Sequence, residues 1–213
     1  MFFLIVIFCL LVLYFLKIHS PLIPVFNLTN QPEVISKGYY GHTFIIEVSF
    51  SHEGFKEWLE NLPEPYPLLL LDSDWIGRST ELIQTIEEKR IPTALLGKAN
   101  KDYEDLKLLS REVAIYEKAF NRKPLWFMTN DYKFSGELKQ VAFADKMNML
   151  SPNVLWHPHL IITKGMLISV PLHENSYISF EKLTAFMKQF PNHPIEENIL
   201  GYSLKQKKLP NDE

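Results

Sequence analysis

Unbroken apolar runs alternate along the chain with segments whose apolar residues recur every three or four positions, a pattern that predicts parallel strands separated by helices. The clearest unit spans Pro67 to Gly97. Leu68 to Leu71 form a leucine run with no polar alternation, as expected of a strand covered on both faces. Asp72 and Asp74 follow where that strand should stop. Leu82, Ile83 and Ile86 then recur at helical spacing, with Glu81 in the first turn and Lys89 and Arg90 in the last, as the helix dipole prefers. Pro92 ends the helix, and Ile91 to Gly97 supplies a second apolar strand. A strand-helix-strand unit of this kind closes right-handed with its strands parallel.

The same grammar extends in both directions. Phe44 to Val48 reads as a strand, and Ser51 with Glu53 opens a helix carrying Phe55, Trp58, Leu59 and Leu62 on one face. Beyond a polar turn from Lys98 to Asp102, the positions Tyr103, Leu106, Leu109, Val113, Tyr116 and Phe120 mark a long helix. Lys123 to Met128 reads as a strand and Ser135 as the cap of a helix with Leu138, Val141 and Ala142 inward. Short strands are expected at Met147–Leu150 and Met166–Val170. A helix from Ser179 buries Leu183, Phe186, Met187 and Phe190, and a last strand falls near Ile195–Leu200. His42 and His52 read as surface or turn histidines.

At 213 residues, 46% hydrophobic, the chain suffices for one well-packed domain. A net charge of -3 leaves no nucleic-acid footprint. Phe2 to Leu16 is uninterrupted apolar sequence, about 22 Å long as a helix, which Lys17 can extend by snorkelling. No basic segment precedes it and no small-residue cleavage site follows, so an uncleaved membrane anchor over residues 1–18 is favoured over a cleaved signal. A domain over 19–205 and a polar tail over 206–213 complete the expected layout. The one cysteine, Cys9, lies inside the apolar run, so the domain forms no disulfide of its own.

The candidate chemistry gathers at strand ends. Ligand sites of open and barrel α/β folds lie at the carboxyl ends of the strands, where Asp72 and Asp74 are expected. His157 and His159 flank Pro158 on an extended loop and could face one metal ion. His173 follows the late strand directly.

The leucine strand with its Asp pair, Ser79-Thr80-Glu81-Leu82-Ile83 opening a helix, and Ile91-Pro92-Thr93-Ala94 opening the next strand together resemble the polysaccharide deacetylase family of carbohydrate esterases, whose first motif is Thr-Phe-Asp-Asp-Gly. Val48 to Phe55 followed by Trp58-Leu59 resembles the segment ahead of that motif, and Pro171-Leu172-His173-Glu174 resembles the final Leu-His motif. Lys123 to Met128 resembles the Arg-Pro-Pro-Tyr-Gly strand, with Met128 and Thr129 where arginine and proline belong. The resemblance covers roughly Pro21 to Leu200. It implies an α/β fold, a distorted parallel (β/α)7-type barrel preceded by the N-terminal hydrophobic helix.

In that family one Asp acts as base on a metal-bound water, a second Asp and two histidines hold the metal, and the late histidine protonates the leaving amine. Carried over residue by residue, the resemblance makes Asp72 the base and His173 the acid. Ser73 falls where the metal-binding Asp belongs, leaving Asp74 as the substitute ligand. The family's His-x-x-x-His is missing, because no histidine stands between His52 and His157. Trp75 and Trp126, if exposed at strand ends, would stack on sugar rings, and Asp131 adds a polar contact beside them. Two readings follow. One is a membrane-anchored, glycan-binding or weakly catalytic member acting on glycan or peptidoglycan at the outer face of a bacterial membrane. The other is an active amide hydrolase with a rebuilt site, holding zinc or a similar divalent metal on Asp74 and a late-loop histidine.

Overall fold

Eight strands, every pair parallel, form one sheet in the order β1-β6-β5-β4-β3-β2-β8-β7 in the computed structural model, which describes residues 27–201. In chain order they are β1 (Val34–Ile35), β2 (His42–Val48), β3 (Leu68–Asp72), β4 (Thr93–Gly97), β5 (Trp126–Thr129), β6 (Asn148–Leu150), β7 (Val154–Leu155) and β8 (Met166–Leu172). The barrel expected from the sequence is thus an open, curled half-barrel with β1 and β7 at its edges. The anchor expected over residues 2–16 and the tail expected over 206–213 lie outside the described residues. Among those described, no helix is long and apolar enough to cross a membrane.

Successive strand residues face opposite sides, so the leucine run feeds two cores at once. Leu69 and Leu71 join Phe44, Ile46 and Val170 against the helices, whereas Leu68 and Leu70 join Ile45, Trp126 and Leu167 on the other face. Burial of each such side chain contributes about 1.5–3 kcal/mol. This two-sided covering explains why β2, β3 and β4 are buried at every residue.

The helices are α1 (Phe55–Glu60), α2 (Ser73–Arg78), α3 (Thr80–Lys89), α4 (Lys107–Phe120), α5 (Gly136–Ala144), α6 (Phe180–Gln189) and α7 (Ile195–Leu200). Ser135 and Ser179 cap α5 and α6 with their side chains, as their positions predict. Helix α1 starts later than the Ser51 signal, at Gly54, whose φ of 79° sets the entry turn. Helix α2 was not anticipated; it begins directly after β3.

The expected last strand at Ile195–Leu200 is a helix instead. Pro194 at its start, Glu196 and Glu197 in its first turn and Gly201 at its left-handed end, φ 82°, are the helix signals that the apolar pair Ile195 and Leu200 outweighed in the sequence. Asn198 pins this helix to the sheet from a fully buried position. Its Oδ1 accepts from the Gly41 amide at 3.1 Å, and its Nδ2 donates to Thr43 Oγ1 at 3.2 Å and to the Met166 carbonyl at 3.0 Å. Asn198→Ala, which orphans these groups, is expected to lower stability by about 2–4 kcal/mol, read as a lower denaturant midpoint with an unchanged slope.

Candidate functional site

Strand β2 is paired on both sides in one register, with Val48 opposite Leu71 of β3 and Leu172 of β8. The residues that follow, Ser49, Asp72 and His173, therefore leave the sheet level with one another at its carboxyl end. This is where the two outer candidates, Asp72 and His173, were expected to meet.

Asp72 is buried and committed on three sides. Its Oδ1 accepts from the amides of Asp74 at 2.9 Å and Trp75 at 3.1 Å, capping α2. Its Oδ2 accepts from Lys98 Nζ at 2.7 Å, and the same ammonium reaches Asp74 Oδ2 at 2.5 Å. Burial pulls the Lys98 pKa down, but the hydrogen bonds and charges of Asp72 and Asp74 outweigh it, and the net direction is up. Gly97 makes this placement possible: a Cβ there would lie 2.1 Å from the Tyr103 hydroxyl. That hydroxyl accepts the Lys98 amide at 3.0 Å and donates to buried Glu112 Oε2 at 2.5 Å.

On the other side of β2, His173 is half-exposed. Its Nδ1 lies 2.8 Å from Ser49 Oγ and its Nε2 3.8 Å from Glu47 Oε2. Ser176 Oγ accepts the His173 amide at 2.9 Å and His52 Nε2 donates to the His173 carbonyl at 2.9 Å, fixing the backbone from which the ring hangs. Burial pushes the His173 pKa down, Asp72 pulls it up and His52 pushes it down again, with a net lowering. Glu47 is fully buried on the inner face of β2. Its Oε1 accepts from Tyr132 Oη at 2.8 Å and from Ser169 Oγ, while burial raises its pKa against the effect of those two donors.

Several expectations are corrected here. Trp75 and Trp126 are 0% and 2% exposed, so neither can stack on a sugar. The Trp75 indole donates to Ser51 Oγ at 2.8 Å and that of Trp126 to Glu196 Oε1 at 3.1 Å, which lets both rings bury without an orphaned N–H. Asp131 serves its own loops, accepting from the Asn100 amide at 3.0 Å and the Lys133 amide at 3.3 Å through Oδ1. His42 is not a surface histidine but lies buried in β2. His157 and His159 are exposed beyond the edge strand β7.

The metal implied by the resemblance in the sequence finds no matching group of ligands among the described residues. The Lys98 ammonium bridges Asp72 and Asp74, so Asp74 is an ion-pair partner in this structure. Among the described residues, no three of His, Cys, Asp or Glu are grouped to hold a metal ion. The residues that sequence reasoning missed, Lys98, Ser49 and Glu47, carried faint signals. Lys98 is a lone cation just past an apolar strand, and Glu47 a lone charge within one.

No family model matches the chain, and no curated protein matches it. Solved structures do. A CE4 family pseudoenzyme from Bacillus anthracis aligns with a TM-score of 0.62 at 16% identity, over 75% of this chain and 64% of its own. A family 4 carbohydrate esterase from Bacillus anthracis aligns at 0.59 and 10% identity, over 73% and 79%. The chitin deacetylase from Colletotrichum lindemuthianum aligns at 0.62 and 10%, over 84% and 96%. The chain spans just under two thirds of the pseudoenzyme's length. The likeness shows the fold, in agreement with the resemblance seen in the sequence.

Behind Lys98, Glu112 makes the site sensitive to pH. It is 1% exposed, and burial raises its pKa from 4.5 to about 7, with Tyr103 and Lys98 opposing the rise. The folded state thus holds a proton that the unfolded chain has released above 4.5, so stability is full below that value and declines as pH rises toward about 7. The decline is on the order of 3 kcal/mol. Glu112→Gln is expected to remove this slope, measured as denaturation midpoints across that interval at constant ionic strength.

Proposed function

We propose that this chain, which has the fold of the CE4 polysaccharide deacetylases, is a glycan-binding protein of the cell envelope that does not release acetate by the metal-dependent route. The observation that carries the reading is the Lys98 ammonium bridging Asp72 and Asp74. An ammonium is charged and saturated: it neutralises carboxylates but has no vacant coordination position with which to bind and acidify water. Asp72, the expected base, has both oxygens engaged and is not free to take a proton from water.

What the strand ends do present suits neutral, hydroxyl-rich ligands. Half-exposed His173 and Lys98, exposed Asp74 and the Arg78 guanidinium offer donors and acceptors around one mouth. The unbroken apolar run over residues 2–16 supports membrane anchorage, with the domain at the outer face of a bacterial membrane where glycan or peptidoglycan is met.

Acetylated chito-oligosaccharides or peptidoglycan fragments are expected to bind the purified domain equally with and without chelator, followed by calorimetry. Zinc- or cobalt-dependent acetate release from the same ligands would replace this reading with that of an active amide hydrolase. Lys98→Met should lower stability by about 1–2 kcal/mol, since the partly exposed pair is screened by solvent. The same variant should gain weak zinc binding, measurable by titration, that the parent chain lacks.

A further inference from the structure

Ser49, His173 and Glu47 form a line at the ends of β2 and β8 that glycan binding alone does not use. The hydroxyl of Ser49 is 2.8 Å from His173 Nδ1, within the range expected of a nucleophile and its base. Across the ring, Nε2 faces Glu47 Oε2 at 3.8 Å. Glu47 is wholly buried, and Oε2 has no hydrogen-bond partner although Oε1 holds both Tyr132 and Ser169. Leaving a buried carboxylate oxygen bare is costly, and this one points at an imidazole just beyond hydrogen-bond reach.

We propose that Ser49 is the nucleophile, His173 the general base and Glu47 the orienting carboxylate of a metal-independent hydrolase for small acyl esters of sugar hydroxyls. The acyl transfer stands on the geometry of the three residues; the sugar half of the substrate rests on the glycan-binding reading. In the tautomer that carries its hydrogen on Nε2, toward Glu47, the Nδ1 lone pair accepts from Ser49, whose hydroxyl also lies 3.4 Å from the Leu172 carbonyl oxygen. The lowered pKa of His173 keeps that lone pair available near neutral pH.

Ser49 Oγ attacks the ester carbonyl carbon while its proton passes to His173 Nδ1, and the carbonyl π pair moves onto oxygen. Arg78 Nη2 donates to the main-chain oxygen of Ser49 at 2.7 Å, which holds a guanidinium beside the nucleophile. The imidazolium draws Glu47 Oε2 into a charge-assisted hydrogen bond. As the intermediate collapses, the bond from carbon to the alcohol oxygen breaks and Nδ1 returns its proton to that alkoxide, leaving acylated Ser49. Water then attacks the acyl carbon and gives a proton to Nδ1, the bond to Oγ breaks, and Oγ recovers the proton. The products are a carboxylic acid and an alcohol, and only water is consumed. His52 and Ser176 are positioning residues that hold the His173 backbone.

The test uses the full chain in chelator with a fluorophosphonate probe and p-nitrophenyl acetate. The probe is expected to label Ser49, located by mass spectrometry, and hydrolysis to persist in chelator. Ser49→Ala should abolish labelling and reduce turnover at least a hundredfold with an unchanged melting temperature, and His173→Gln should do the same. Glu47→Gln should lower kcat at least tenfold at constant KM and displace the kcat pH profile, a readout that mere packing would not move. Absence of both labelling and turnover in the parent chain, or turnover undiminished in Ser49→Ala, overturns the proposal. Ester hydrolysis without chito-oligosaccharide binding would uphold the Ser49 chemistry and remove the glycan reading; binding without hydrolysis would do the reverse.

Discussion

The shared register of β3, β2 and β8 is the constraint on which the rest of the site depends. Because all three strands run the same way, their carboxyl ends open on one side, and residues just past the last pair emerge together. A one-residue slip of β2 would exchange its faces, moving Glu47 toward the helices and Ile46 toward the inner core. Both faces of β2 are fully buried, so neither exchange is tolerated, and the register is specified from two sides. The alignment of Ser49 between Asp72 and His173 is a by-product of core packing that chemistry can use.

Within that frame, charge decides what each side of the mouth can do. Two carboxylates one residue apart at a strand end need a cation, and the chain supplies one 26 residues downstream of Asp72. The glycine before Lys98 admits the Tyr103 hydroxyl, which anchors the Lys98 amide, and Glu112 anchors the tyrosine in turn. The acidic tip thereby becomes a closed electrostatic unit that caps α2 and ties β3 to β4. Chemistry is displaced to the other side of β2, where His173 is half-exposed and faces a hydroxyl.

Local patterns in the sequence were enough for most strands and helices, because two-sided burial writes apolar runs and one-sided burial writes helical spacing. The Leu68–Leu71 strand, the Ser135 and Ser179 caps and the placement of Asp72 and His173 at strand ends all have local causes. What escaped depended on partners distant in the chain. Trp126 packs in the inner core with its N–H received by Glu196, 70 residues away, and no local rule distinguishes that from an exposed ring at a strand end. The ion pair of Asp74 escaped for the same reason, since its partner Lys98 read only as part of a polar turn. Residues 195–200 are a different case: the helix signals were local, but six residues with apolar ends satisfy strand and helix patterns alike.

The inner face of the sheet changes character along the strands. Toward the amino ends it is lined by Ile45, Leu68, Leu70 and Leu167, which need no partners. Toward the carboxyl ends it carries Glu47, Ser169 and the Tyr132 hydroxyl, buried together around one carboxylate. Stability does not call for such a group, because apolar residues of similar volume in its place would commonly be neutral or stabilising. Nor is the group self-contained: two donors meet Oε1, and Oε2 is left facing outward toward the His173 ring. A polar cluster satisfied on its inner side and open on its outer side is organised around what arrives from outside, and what faces it there is an imidazole already bonded to a serine. The burial cost of Glu47 is thus best understood as the cost of orienting that ring.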